Sequence, residues 1–185
     1  MVEPQDGCLT LSAYITAQAV SQYFSSPQAR KKSIRRLRQV GIRKAYVEFY
    51  RSGLLLEEST LIEVKDDLER AGLRISGGIA TTHGEGFTDK STGGPYWICF
   101  SSEKSLENLE LAIRRGAKVF DEIIVDDFLC TACKCRRCKR AKGGRDWSAL
   151  YRDLLVDFVT NGMIAPAREE NPHVKLIIKC PQSYD

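Results

Sequence analysis

An amphipathic helix followed by an apolar strand recurs four times along this 185-residue chain, and no other feature restricts its fold so much. In residues 27–40, Ile34, Leu37 and Val40 lie on one helical face with lysines and arginines opposite. Pro27 suits the first turn and Gly41 a C-terminal cap. The strand KAYVEFY (44–50), rich in aromatic and β-branched residues, follows. The second repeat places Leu61, Val64 and Leu68 in the stripe, ends at Gly72 and leads into LRISGGIA (73–80). The third uses Leu106, Leu109 and Ile113, with Gly116 as the expected stop, before EIIVDD (122–127). The fourth covers WSALYRDLLVDFV (147–159), passes Pro166 and Pro172, and reaches VKLIIKC (174–180). LTLSAYITA (9–17) adds a strand before the first helix.

Five strands alternating with four helices predict a parallel sheet with helical crossovers. Strands such as EIIVDD and VKLIIK are apolar on both faces, as such a sheet requires. The candidates are an open doubly wound sheet and a (β/α)8 barrel. Neither GxGxxG nor a P-loop follows the first strand, which counts against a nucleotide-binding doubly wound fold. A complete barrel takes about 250 residues. The predicted fold class is therefore α/β of TIM-barrel type, present over residues 1–185 as an incomplete N-terminal portion of about five β/α units.

Hydrophobic content of 43% and charged content of 28% are ordinary for a globular protein, and a net charge of +4 does not itself call for nucleic acid. No run of about 18 apolar residues is present, so no membrane span is expected. The N-terminus shows no basic segment followed by an apolar one. The default expectation is cytoplasmic, with a periplasmic or secreted location left open should a signal precede this chain. Seven cysteines, four of them within residues 130–138, fit a metal site in a reducing compartment better than a disulfide framework.

In both candidate folds the functional face lies at the C-terminal ends of the strands. The residues expected there are Thr16 and Gln18, then Glu48, Tyr50 and Arg51, then Thr81, Thr82 and His83 ahead of a glycine-rich loop (84–97). Asp126 and Asp127 end the fourth strand, and Lys179 and Gln182 follow the fifth. Carboxylates, an imidazole, aromatics and amides on one rim suit a polyol, so carbohydrate is the expected ligand. Gln18, Glu48, Tyr50, Arg51 and His83 are the expected substrate contacts. A plain ion pair is the competing reading of Glu48 and Arg51. Side chains alternate along a strand, so only one of Asp126 and Asp127 is expected to point into the pocket.

The cysteine loop reads Cys130-x2-Cys133-x-Cys135-x2-Cys138. Four thiolates suit a tetrahedral, structural zinc. Two ligand sets are open: the four local cysteines, or Cys133, Cys135 and Cys138 with Cys99 from the preceding loop. The interleaved Lys134, Arg136, Arg137, Lys139 and Arg140 offset the negative charge of a metal–thiolate centre. A nucleic-acid patch is disfavoured, since there is one knuckle and no stacking platform.

The acidic pair followed by Cys133-x-Cys135-x2-Cys138 resembles the zinc cluster of glycoside hydrolase family 42 β-galactosidases. Across SAYITAQAV, SGGIATT, DEIIVDDFLCT and NPHVKLIIKCPQSYD the chain is similar to uncharacterised bacterial proteins of the TIM-barrel glycoside hydrolase superfamily. The resemblance implies Cys99 as the fourth ligand, with Cys130 the alternative. It implies a retaining glycosidase layout, with the acid/base at the end of strand four and the nucleophile at the end of strand seven. Asp127 falls at the acid/base position, with Asp126 beside it. The superfamily carries Asn-Glu there, and aspartate is one methylene shorter. The expected function is hydrolysis of O-glycosyl bonds in a longer protein, with this portion inactive alone. The alternatives are a non-catalytic carbohydrate-binding barrel and, third, a zinc-knuckle nucleic-acid binder. An open sheet edge makes homo-oligomerisation the expected state of the isolated chain.

Overall fold

The computed structural model describes residues 10–84 and 98–179, with the backbone alone for residues 82–84. Strand β1 (Leu11–Ile15) leads into the short helix α1 (Ala17–Tyr23) and then α2 (Pro27–Gln39). After β2 (Ile42–Ser52), the chain turns back as β3 (Leu54–Leu55) and enters α3 (Glu58–Arg70). Strand β4 (Arg74–Gly84), α4 (Glu103–Val119) and β5 (Glu122–Asp126) follow. The chain then forms α5 (Arg136–Lys142), α6 (Trp147–Val159), a π-helical turn at Thr160–Ile164, α7 (Ala165–Glu170) and β6 (Lys175–Ile178).

The strand order is β1-β2-β4-β5-β6, with every neighbour parallel, and β3 pairs antiparallel to the end of β2. Strands adjacent in this series are adjacent in space, so the order never reverses and no topological switch point arises. That separates barrel winding from doubly wound winding. Because crossovers between parallel strands share one hand, the sequential order puts the helices on one face of the sheet. The other face is the concave interior.

Side-chain alternation divides the strands accordingly. Ala45, Val47, Phe49, Ile79, Ile123 and Val125 face the helices and are buried. The helices meet them with the stripes expected from the sequence, including Leu61, Val64 and Leu68 of α3 and Leu109 and Ile113 of α4, all with no exposed surface. Burying each such side chain contributes about 1.5–3 kcal/mol. Gly41 and Gly72 follow the ends of α2 and α3 with φ of +81° and +84°, as the caps required.

Gly116 does not stop its helix. Helix α4 continues to Val119, and a Cβ at Gly116 would lie 2.4 Å from Cζ of Phe49. The glycine is there because the helix backbone rests on that ring, which stacks in turn on Phe120. Other departures have similar local causes. The first strand ends at Ile15 because the Thr16 side chain accepts the Ala19 N–H and starts α1. Ser52 and Gly53 both have positive φ, the two-residue turn that folds β3 onto β2.

The concave face is built in polar and apolar layers. At its base Lys44 Nζ lies 2.6 Å from Glu122 Oε1, which also accepts Ser76 Oγ at 2.6 Å. One layer up, Tyr14 and Tyr46 stack at 6.3 Å, with Lys44 Nζ 4.6 Å from the Tyr46 ring centre. The uppermost layer, at the C-terminal strand ends, carries Glu48 and Asp126.

Candidate active site and metal centre

Glu48 anchors the upper layer. It has no exposed surface, and its carboxylate accepts the Tyr14 hydroxyl at 2.9 Å, the Ala17 backbone N–H at 2.8 Å and Arg51 Nε at 2.8 Å. Strand β1, the start of α1 and the end of β2 are thereby joined at one point. The ion pair between Glu48 and Arg51 is present. Burial and the adjacent Glu48 carboxylate push the Tyr14 hydroxyl well above the usual phenol range, so it remains a donor. The hydrogen bond to Glu48 raises Arg51 further above its ordinary value.

From Arg51 the network crosses to the acidic pair. Arg51 Nη2 lies 3.8 Å from Asp126 Oδ2, and Asp126 Oδ1 accepts Lys179 Nζ at 2.5 Å. The same ammonium lies 3.8 Å from Asp127 Oδ1. The hydrogen bond and charge of Asp126 hold Lys179 above the usual lysine range. The two aspartates differ in access: the Asp126 side chain is 16% exposed and that of Asp127 44%. They do not take the opposite faces that alternation requires of a strand. Asp127 lies past the end of β5 with φ of +49°, which brings both carboxylates to one ammonium.

Thr81 supports that turn. Its buried hydroxyl donates to the Asp127 carbonyl and accepts the Leu129 N–H, both at 3.1 Å. The Phe128 N–H donates to the Lys179 carbonyl at 3.1 Å, so the loop after β5 is tied to the end of β6. Sequence reasoning named Thr81 and Lys179 as rim residues without these roles, and missed Tyr14. Alternation along LSAYI was the signal that could have found it, since Tyr14 shares the inward face with Ser12.

The remaining expected contacts are dispersed. Gln18 is exposed in the first turn of α1. Tyr50 is buried, and its hydroxyl accepts the Gly53 N–H at 3.2 Å. His83 belongs to β4, but its side chain lies outside the described residues, as do Gln182 and most of the glycine-rich loop.

The cysteine loop makes a separate centre. Cys99, Cys133, Cys135 and Cys138 are all buried, with their sulfurs within 4.8 Å of one another. Cys99 Sγ is 3.7 Å from those of Cys135 and Cys138, which are 3.6 Å apart. A tetrahedron with metal–sulfur bonds of about 2.3 Å has edges of about 3.8 Å. A disulfide would need about 2.05 Å. The four thiols thus fit one metal ion. Cys130 stands outside the group, its thiol 3.5 Å from the Phe128 carbonyl. Thr131 fixes the geometry by donating to the Ile98 carbonyl at 2.6 Å and accepting the Cys133 N–H at 3.1 Å. Hydrogen bonding to Cys133, with burial, raises the Cys99 thiol, and burial pushes Cys138 up to about 11. A divalent cation would supply the charge that makes the thiolates favourable. Trp147 packs on the cluster, and Lys134 and Lys142 lie 5.5 and 5.6 Å from its ring centre.

The sequential, all-parallel strand order is that of a barrel-type α/β sheet. A family model described as "Probable glycosyl hydrolase, catalytic domain" matches residues 2–185, and the chain belongs to that family. An uncharacterised protein of Saccharolobus solfataricus is 28% identical over 191 aligned positions, covering 91% of this chain and 32% of its own length. Among solved structures, the β-galactosidase of the psychrophilic Marinomonas ef1 superposes with a TM-score of 0.61 at 14% identity, over 92% of this chain and 37% of that one. The cold-adapted β-galactosidase of Rahnella sp. R3 gives a TM-score of 0.61 at 13% identity, over 94% and 36%. The fold is therefore a TIM-barrel type, and the chain spans about a third of the length of the proteins it matches. No helix among the described residues is long and apolar enough to cross a membrane.

Proposed function

We propose that this chain is the acid-bearing part of a glycoside hydrolase barrel acting on O-glycosyl bonds, with Asp127 as general acid/base. The observation that carries this is the pair of unequal carboxylates at the strand ends. Asp126 is held by Lys179 and faces Arg51, while Asp127 presents the more exposed carboxylate on the same rim. An acid must reach the leaving oxygen, and the left-handed turn at Asp127 extends a short side chain outward. Asp126 orients Lys179 and the rim. Glu48, fully buried, acts by fixing Arg51 and Tyr14. Gln18, Arg51 and His83 are the proposed sugar contacts, while the buried Tyr50 supports the β2–β3 turn through its hydroxyl. Retaining chemistry needs a second carboxylate about 5–5.5 Å from the first. The resemblance assigns it to a seventh strand, and hydrolysis is proposed only together with that second carboxylate.

The four-cysteine centre is proposed to hold zinc through Cys99, Cys133, Cys135 and Cys138. All four positions would be protein ligands, which is a structural arrangement. A second reading, a non-catalytic carbohydrate-binding barrel, is favoured by the aspartate at the acid position and by the extent to which the rim charges pair with one another. Saturation-transfer NMR against neutral hexoses and their α- and β-linked disaccharides tests both. We expect a bound sugar whose signal is lost in Asp127→Ala. An absence of binding, or an unchanged signal in that variant, would sink the assignment. Slow glycoside turnover by a longer protein, abolished by Asp127→Asn, separates hydrolase from binder.

A further inference from the structure

We propose that the groove along the outer side of α2 is a binding surface for an anionic polysaccharide, distinct from the rim. The groove has a volume of about 1040 Å³ and lies between α2 and the C-terminal end of α3. Lys31, Lys32, Arg35, Arg38 and Arg43 line it. All five lack an ion-pair partner among the described residues. Helix α2 carries no acid in its thirteen residues. Asp67 is the one acid on the groove wall among the described residues, and it is already engaged by Arg30 at 2.5 Å and Arg70 at 2.9 Å. The Arg30 pair is largely buried and clamps α2 onto α3, so the cations are displayed on a fixed frame.

Charge of this density has a cost that an anionic ligand removes. Like charges at i, i+4 on a helix repel, and Lys31 and Arg35 make such a pair, with Arg38 one turn further. From residue 31 to residue 38 the charges extend over about 10 Å of helix axis, which suits a linear polyanion better than a single small ion. Arg43 opens β2, whereas Glu48 and Arg51 lie toward its other end, so the groove reaches the opposite end of the strands from the rim.

Two polyanion classes meet that description. A single-stranded nucleic acid is held by aromatic platforms as well as cations, and no aromatic among the described residues lines this groove. Its walls instead offer the amides of Gln28 and Gln39, which can meet hydroxyls, and apolar patches at Pro27, Ile34 and Ala71, which can meet the C–H faces of sugar rings. The choice of a sulfated or uronate glycan also rests on the carbohydrate reading above, but it is tested without hydrolysis and without Asp127.

The experiment is calorimetric titration of the full chain with dextran sulfate, neutral dextran, and single- and double-stranded DNA of matched charge, at several salt concentrations. Dextran sulfate should bind with an affinity that falls linearly in log salt, and neutral dextran should not bind in the groove. The triple variant Lys31→Gln, Arg35→Gln, Arg38→Gln alters only exposed, unpaired side chains. It should melt like the parent, bind dextran sulfate at least about tenfold more weakly, and show a salt slope shallower by about three. Equal binding by the variant, or tighter binding of either DNA than of dextran sulfate, overturns the proposal. Loss of neutral-sugar binding in Asp127→Ala bears on the rim alone, so the two readings fail separately.

Discussion

Replacing Glu48 with alanine would leave the Tyr14 hydroxyl, the Ala17 N–H and the Arg51 guanidinium without their acceptor. Removing one partner of a buried ion pair costs about 3–5 kcal/mol, because the remaining charge stays poorly solvated. Glu48→Ala is therefore expected to lower the unfolding free energy by about 3 kcal/mol in urea titrations, a value set toward the low end because Arg51 is 30% exposed. A loss within experimental error would mean that Glu48 is not the anchor of the rim. Glu122 gives the corresponding pH prediction. Hydrogen bonds from Lys44 and Ser76 hold its carboxyl below the usual carboxylate range. A folded value lower than the unfolded one means that its contribution is fully present above about pH 4.3 and is lost as pH falls through the lowered value. Lys44→Met should flatten that acid limb in denaturant midpoints measured across it. An unchanged limb would assign the acid sensitivity elsewhere.

Helix α4 shows where sequence reading works and where it stops. Its stripe was legible because Leu109 and Ile113 recur at helical spacing and face one sheet. Gly116 was read as a stop because glycine usually ends such a stripe. Its real constraint is Phe49, 67 positions earlier in the chain, which no local pattern records. Gly116→Ala should cost about 1–3 kcal/mol through overpacking, read as a lowered melting temperature. A neutral or stabilising result would show that the ring can move. The short helix α5 was missed because a cysteine-rich, basic segment has no apolar period. The cysteine spacing was legible as a metal loop, but spacing could not choose between Cys99 and Cys130. The structure brings Cys99 across from the loop before α4. Metal analysis of the purified protein should find one equivalent of zinc, lost in Cys99→Ser and retained in Cys130→Ser. The reverse pattern would reject the assigned ligand set. At the rim the acidic pair was legible as a site, while the turn that brings both carboxylates to Lys179 was not, since it depends on Thr81 and on β6.

At the scale of the whole molecule, sequential parallel order and a polar concave rim make a barrel-type sheet whose outer strands, among the described residues, are β1 and β6. Leu11 is 44% exposed and Ile178 46% exposed on those strands. Exposed strand edges favour pairing with another chain. Light scattering of the isolated chain is expected to show self-association that rises with concentration. A monodisperse monomer with one cooperative melt would argue that the edges are sealed by other means. The C-terminal rim of this sheet is proposed to hold a sugar. Amide chemical-shift mapping with the sugar identified by saturation transfer tests it most directly. Perturbations are expected to concentrate at Ala80–Thr81, Asp126–Leu129 and Lys179. Shifts confined to α2, or scattered without reference to the strand ends, would contradict it.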